Sequence, residues 1–355
     1  MSTIATLRRA GADQGAPLLR GLGKLSGLLG LAAVALALGV SAPARADTTL
    51  LNVSYDVARE LVKDINPLVI ADWKKQTGET LVINQSHGGS SKQARSVADG
   101  LEASVVTMNQ ANDIDMLAKR GLLPADWNKK FPNNAAPFYS TMVYLVRKGN
   151  PKGIKDWEDL AKPDVKVVIP NPKTAGNGRY TYLAAWGSVL QKGGNEAQAR
   201  ELVTKIFRNV PVLDSGGRAA TTTFTQREIG DVLVTFENEV QLVKKEMGQN
   251  FDIVYPASSI LAESPVAVVD KVVDRKGNRK QATAYLQYLY TEPAQEVIAQ
   301  HFFRPRSEAV LKKHSASFKQ VKLFTVDEVF GGWDAAQKKH FDDGGEFDKI
   351  YQPKK

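Results

Sequence analysis

Apolar positions along this chain alternate between two rhythms. Runs of consecutive apolar and β-branched residues at 49–53, 81–83, 105–108, 139–148, 165–169, 210–213, 231–236 and 264–269 have the length and composition of buried strands. Between them the pattern predicts helices over 57–76, from about residue 91, and over 113–120, 182–191, 197–209, 279–290 and 293–300. Strands alternating with helices argue for an α/β fold, a parallel or mixed sheet covered by helices on both faces. The alternation comes in two series with no internal repeat and no flexible linker between them. Continuous strands near Tyr139 and Pro265 would join the two halves directly and leave a hinged cleft between them.

Three polar segments interrupt the pattern in the same way, each following a strand run and opening a helix. They are Ser86-His87-Gly88-Gly89-Ser90-Ser91-Lys92, Asn171-Pro172-Lys173-Thr174-Ala175-Gly176-Asn177-Gly178-Arg179 and Asp214-Ser215-Gly216-Gly217-Arg218. The first turn of a helix has backbone N–H groups without partners and a partial positive charge. Glycine lets that backbone approach a ligand closely, and a serine hydroxyl adds a donor. Any one of the three reads equally as an ordinary capped connection. Three in one chain, all at the carboxyl ends of strands where open α/β sheets bind ligands, predict a small anion held without a counter-charge.

Compartment and charge narrow the picture. Arg8, Arg9, Arg20 and Lys24 precede an apolar run over 25–40, and Ala44-Arg45-Ala46 supplies a small-x-small cleavage site, so residues 1–46 are expected to be a secretory signal peptide. Arg8-Arg9 lacks the apolar pair that follows in twin-arginine signals, which favours the general export route. The chain has no cysteine, so disulfides, a lipoprotein anchor and thiol chemistry are excluded, and export without cysteine fits a Gram-negative periplasm. The segment 1–46 holds five of the Lys/Arg and one Asp, leaving +5 of the formal +9 for the rest. That charge is dispersed, with no basic stripe interleaved with aromatics, so nucleic acid is not an expected partner. Enzymatic readings find little: there is no Gly-x-Ser-x-Gly elbow, and the four histidines, at 87, 301, 314 and 340, have no metal-ligand spacing. No catalytic residue, cofactor or metal is expected.

The motifs then take on a specific likeness. Asn52-Val53-Ser54-Tyr55-Asp56, Gln85-Ser86-His87-Gly88-Gly89-Ser90, Asn171-Pro172-Lys173-Thr174, Leu183-Ala184-Ala185-Trp186-Gly187 and Val212-Leu213-Asp214-Ser215-Gly216 resemble the periplasmic sulfate-binding proteins, as do Glu237-Asn238-Glu239, Arg304-Pro305-Arg306 and Phe330-Gly331-Gly332-Trp333, all in collinear order. The resemblance implies a two-domain periplasmic binding protein of the type II Venus-flytrap class, each domain a mixed sheet flanked by helices. Domain I would comprise 47–138 with 262–330, domain II 139–261, and 331–355 a C-terminal tail that wraps a surface. It implies a monomeric periplasmic receptor that holds sulfate or thiosulfate by hydrogen bonds alone and delivers it to an inner-membrane ABC permease complex.

Carried over by position, the expected ligand donors are the backbone N–H of Asp56, the hydroxyl of Ser90, and the backbone N–H groups of Gly176, Asn177 and Gly217. His87, Thr174, Ala175, Arg218 and Phe236 stand behind them, with Arg218 and Arg179 expected to neutralise acidic neighbours. Lys92 and Lys173 are expected at the cleft rim. The chain departs from the resemblance where Ala175 replaces a serine donor and Phe236 an indole donor. Asn177 replaces a glycine and Tyr180 a tryptophan, and Met108-Asn109-Gln110 stands for a plainer apolar run. A donor lost to a charged acceptor costs about 1.5–3 kcal/mol. These changes leave open a receptor for another oxyanion, and, from a different class, a periplasmic ester hydrolase. A site of N–H and O–H donors without a carboxylate acceptor further predicts binding that hardly changes between mildly acidic and mildly alkaline pH.

Overall fold

The computed structural model describes residues 47–351; the expected signal peptide over 1–46 lies outside the described residues, as do the last four residues of the tail. Two sheets organise the chain. In the first, β1 (Thr48–Tyr55) lies between β2 (Leu81–Gly88) and β3 (Val105–Thr107), parallel to both, and β10 (Val266–Val268) runs antiparallel along β3. In the second, β4 (Phe138–Arg147) is antiparallel to β7 (Val232–Phe236), β8 (Phe251–Val254), β9 (Ser258–Glu263) and β11 (Arg304–Pro305). On one side of it, β5 (Val167–Pro170) runs parallel to β7 and to β6 (Leu213–Asp214); on the other, β12 (Lys322–Phe324) is parallel to β9. The sheets are mixed and flanked by helices, as the alternation predicts.

The residues explain the layering. β4 is buried along nearly its whole length, Phe138 and 140–146 inclusive, because helices and strands cover both of its faces. The helix Gly176–Gln191 is buried at every position from Gly176 to Ser188. A helix buried on all sides belongs to an interior, and this one lies between the Glu196–Arg208 helix, β9 and the tail. The chain crosses between the sheets at two adjacent places: Tyr139 pairs with Glu263, and the Ser264 N–H donates to the Phe138 carbonyl at 3.1 Å.

Some expected elements come out shorter or different. The strand expected at 210–213 reduces to Leu213–Asp214, and that at 264–269 to Val266–Val268. Pro211 and Pro265 lack the N–H that a ladder needs. The strands β8 and β9 go beyond the predicted set. Glu237 and Glu239 lie in the first turn of the helix Glu237–Met247, because β7 stops at Phe236. Carboxylates are favoured there by the helix dipole.

The tail packs as a belt of aromatic side chains. Trp333 meets Tyr180 edge-to-face at 5.2 Å, and Phe341 and Phe347 surround Tyr182. Lys173, expected at a cleft rim, instead ties the tail down through the Phe341 carbonyl at 2.9 Å and Asp348. His340 is fully buried, its Nδ1 3.0 Å from the Tyr182 hydroxyl and its ring 4.7 Å from Trp186. Burial, reinforced by Lys339, pushes its imidazole down to about 4. The fold therefore holds His340 neutral, whereas the unfolded chain takes up a proton near pH 6.5. The associated stability is fully present above that pH and is lost as pH falls toward 4, by about 3 kcal/mol. Between pH 7 and pH 4, His340→Gln should lose less unfolding free energy than the unaltered protein by about that amount. Equal losses in denaturant titrations at the two pH values would refute this.

Candidate functional site

Parallel strands deliver their carboxyl ends to one place. β1 leads to Asp56, β2 leads into the helix Ser90–Ala98, and β3 leads to Asn109 and the helix Ala111–Lys119. From the second sheet, β5, β6 and β7 lead into the helices Gly176–Gln191, Gly217–Thr225 and Glu237–Met247. The residues preceding the Ser90, Gly176, Gly217 and Glu237 helices are Gly89, Ala175, Gly216 and Phe236, and none supplies a side-chain cap. Elsewhere the chain does cap: Asn195 and Thr325 form capping boxes, and Ser307 accepts from Val310. Other helices also start without a side-chain cap, at Val269, Asn278 and Thr291 among them, but these four are the uncapped starts that meet across the two sheets.

They meet at backbone distance. A Cβ on Gly89 would lie 2.8 Å from the Thr174 carbonyl oxygen and 3.0 Å from that of Ser215. One on Gly216 would lie 2.6 Å from Asp56 Oδ2, and one on Gly217 would lie 3.0 Å from Asn177 Nδ2 and 3.1 Å from Val57. At Gly176 a Cβ would overlap the Asn109 carboxamide and stand 3.0 Å from Gln110 Cδ. All five expected ligand residues, Asp56, Ser90, Gly176, Asn177 and Gly217, thus come into one small neighbourhood; all but Asp56, which is partly exposed, are buried.

Charges are present but occupied. Asp56 Oδ2 accepts the Arg218 N–H at 3.2 Å, in the first turn of the Gly217 helix. Burial pushes the Asp56 carboxyl up, against the Arg218 backbone N–H and guanidinium, which favour its ionised form. Arg218 itself bridges Glu60 at 2.7 Å and Glu239 at 3.2 Å. Burial lowers its pKa, but Glu239 and Glu60 more than offset this and leave it raised. Its guanidinium is engaged by protein carboxylates. The Ser90 hydroxyl donates to Asp113 Oδ2 at 2.6 Å and accepts the Asn109 N–H at 3.2 Å. The donor-only site expected from sequence therefore contains two carboxylates, Asp56 and Asp113, each already receiving a donor.

The supporting residues divide. Thr174 spends its hydroxyl on the Asn171 and Ser215 carbonyls, at 3.3 and 3.1 Å. His87 turns its Nδ1 to Ser54 Oγ at 2.8 Å. Phe236 is buried edge-on to Tyr55 and Tyr180 and brings no donor. Arg179 donates to the Pro172 carbonyl at 2.8 Å, with Phe341 beneath its guanidinium. Lys92 is exposed.

The profile of the family Bacterial extracellular solute-binding protein matches residues 57–304. Among curated relatives, a thiosulfate-binding protein of Pseudomonas aeruginosa is 58% identical over 325 residues, spanning 91% of this chain and 97% of that one. A sulfate-binding protein of Escherichia coli is 54% identical over 306 residues, spanning 86% and 93%. Among solved structures, the sulfate-binding protein of Mycobacterium tuberculosis superposes with a TM-score of 0.76 at 31% identity, covering 83% of this chain and all of that one. The chain belongs to the sulfate-binding family of bacterial extracellular solute-binding proteins.

Within this family member, sequence reasoning gave no role to four residues at the site, of which Asp113, Asn109 and Gln110 are buried and Glu60 is partly exposed. Asp113 sits in the first turn of its helix, facing Ser90. Glu60, in the helix Arg59–Thr77, takes the outer side of Arg218. Asn109 and Gln110 were visible only as a departure from pattern. The available signal was a pair of carboxamides directly after a buried strand, at the end of the strand where ligands bind.

Proposed function

We propose that the protein is a periplasmic receptor that closes around sulfate or thiosulfate and presents it to an inner-membrane ABC permease. The observation that carries this reading is the convergence of uncapped helix starts at backbone distance. Unsatisfied N–H groups and the aligned peptide dipoles together make an anion site. Domain I would be 47–138 with 262–330 and domain II 139–261, with the paired crossings at Tyr139–Glu263 and Phe138–Ser264 as the hinge. Closure brings Asp56 and Ser90 against Gly176, Asn177 and Gly217 and excludes water, so each hydrogen bond to the anion strengthens. The receptor would act as a monomer, without metal, cofactor or chemical step, after export by the segment 1–46. Among the described residues no helix is long and apolar enough to cross a membrane, which is compatible with this placement.

Calorimetric titration of the dialysed protein with sulfate, thiosulfate, phosphate, molybdate and chloride tests the reading. Tight binding of sulfate or thiosulfate supports it, and tight binding of another oxyanion alone replaces the ligand while keeping the receptor. A residue-level test follows from Ser90. Its hydroxyl proton must leave Asp113 to reach an anion, so Ser90→Ala removes both a donor and the group that holds Asp113 in place. Ser90→Ala should weaken sulfate or thiosulfate binding about tenfold to a hundredfold. Exposed Lys92→Ala should change it less than threefold at physiological salt. Equal effects would place the anion at the rim instead.

A further inference from the structure

Three of the buried carboxamides with an unpartnered oxygen sit together where the helix starts meet. Asn109 Oδ1, Gln110 Oε1 and Asn177 Oδ1 have no hydrogen-bond partner among the described residues, yet Asn109, Gln110 and Asn177 are 3%, 0% and 2% exposed. All three carboxamides surround the first turns already described. Asn109 and Gln110 lie against Gly176, and Asn177 follows Gly176 and rests on Gly217. A native interior pairs such groups, and the usual explanation for a cluster of orphans is an occupant that pairs them.

The partners these carboxamides do have are informative. Gln110 Nε2 donates to Ser91 Oγ at 2.8 Å, and Asn177 Nδ2 donates to Thr235 Oγ1 at 2.7 Å. Both partners are hydroxyls, which can donate as well as accept. Each amide can therefore turn over without losing its protein bond: the hydroxyl then donates to the amide oxygen, and the NH₂ group is freed toward the helix starts. Meanwhile Ala175 and Phe236, which precede the Gly176 and Glu237 helices, present only hydrocarbon.

We infer that the carboxamides of Asn109, Gln110 and Asn177 join the Ser90 hydroxyl as side-chain hydrogen-bond donors of this site and set its choice among divalent oxyanions. This rests on the receptor reading above and extends it. With NH₂ groups turned inward, the site offers two or three neutral donors that complement oxygen acceptors. Because an amide is planar and fixed at its far end by Ser91 or Thr235, it reads the position of an oxygen and discriminates against a sulfur, which is larger and a weaker acceptor. Sulfate should therefore lose more than thiosulfate when these donors are removed, since thiosulfate can place its sulfur against the hydrocarbon of Ala175 or Phe236.

Calorimetry with sulfate and thiosulfate on the full mature chain tests this in Asn177→Ala, Asn109→Ala and Gln110→Leu, with ligand-free thermal unfolding as the control for folding. Asn177→Ala is expected to weaken sulfate roughly tenfold to a hundredfold and thiosulfate by less. Adding Ala175→Ser to Asn177→Ala should restore part of the sulfate affinity by supplying a hydroxyl nearby. Asn177→Asp, which places a carboxylate there, should abolish both. If the unaltered protein binds the anions and all three single variants bind them equally well, the inference is overturned and the receptor reading stands. If the unaltered protein binds neither anion, the receptor reading fails and this inference with it. If a variant unfolds early without ligand, Ala175→Ser in the unaltered background decides: a further gain for sulfate over thiosulfate supports the inference, and no change overturns it.

Discussion

Gly89→Ala is expected to lower anion affinity by a factor of a hundred or more while leaving the ligand-free protein as stable as before, or slightly more so. The backbone at Gly89 has φ −58° and ψ 132°, a conformation any L-residue adopts freely. Replacing glycine at such a position removes unfolded-state freedom and stabilises by about 0.4–1 kcal/mol when nothing else is disturbed. What alanine disturbs is the approach of two turns from the other sheet. Its Cβ would stand 2.8 Å from the Thr174 carbonyl oxygen and 3.0 Å from that of Ser215. Backbone atoms cannot rotate away, so the turns must part by several tenths of an ångström. Every hydrogen bond reaching an anion from both sides lengthens together. Two such bonds to a charged acceptor, at about 1.5–3 kcal/mol each, exceed a hundredfold in affinity. Gly88→Ala is the control, since its Cβ would meet only the Gln93 side chain at an ordinary 3.4 Å. Opposite shifts of affinity and stability in Gly89→Ala, with neither affected much in Gly88→Ala, would mark Gly89 as a closure residue. Unchanged affinity in Gly89→Ala would mean that the anion is not bound between these turns.

The same glycine illustrates what can be read from the chain alone. Strands and helices were legible because apolar runs and helical spacing survive burial, and the three glycine-rich helix starts because small polar residues directly follow a strand run. Prolines at 211 and 265 trimmed two strands by withholding an N–H, a local effect visible only once the partner strand is known. The distant pairings were not legible. Nothing in the sequence says that Asp113 takes the Ser90 proton, that Arg218 is shared by Glu60 and Glu239, or that Lys173 serves the tail. Each depends on a contact between segments far apart in the chain, and a carboxylate near a serine has no periodicity to betray it. Asn109 and Gln110 were legible as anomalies but not as site residues, because their role depends on which strand ends lie opposite them.

The largest stability effect is expected at Arg304. Its guanidinium reaches Glu237 through two hydrogen bonds, Nε to Oε2 at 2.6 Å and Nη2 to Oε1 at 2.9 Å, and also donates to the Lys319 carbonyl at 2.7 Å. Glu237 is fully buried and Arg304 is 7% exposed. The pair joins β11, which runs along β4, to the first turn of the Glu237 helix. Burial pushes the Glu237 carboxyl up, and the bidentate arginine is what opposes that shift. Arg304→Ala leaves the carboxylate buried without its charge partner and should cost about 3–5 kcal/mol of unfolding free energy near neutral pH. The pH dependence gives the mechanism away. With arginine gone, the folded-state pKa of Glu237 rises further above its unfolded value. The fold then prefers the protonated acid, and the variant loses stability as pH rises from the unfolded pKa through the folded one. The deficit of Arg304→Ala should therefore shrink toward pH 5 and widen toward pH 8. Arg304→Met combined with Glu237→Gln removes both charges at similar volume and should recover most of the loss, because a buried pair replaced whole is often close to neutral. A deficit that stays constant with pH and persists in the double variant would show that packing of the arginine stem against Phe318, 5.4 Å from the guanidinium, carries the stability and not the ion pair.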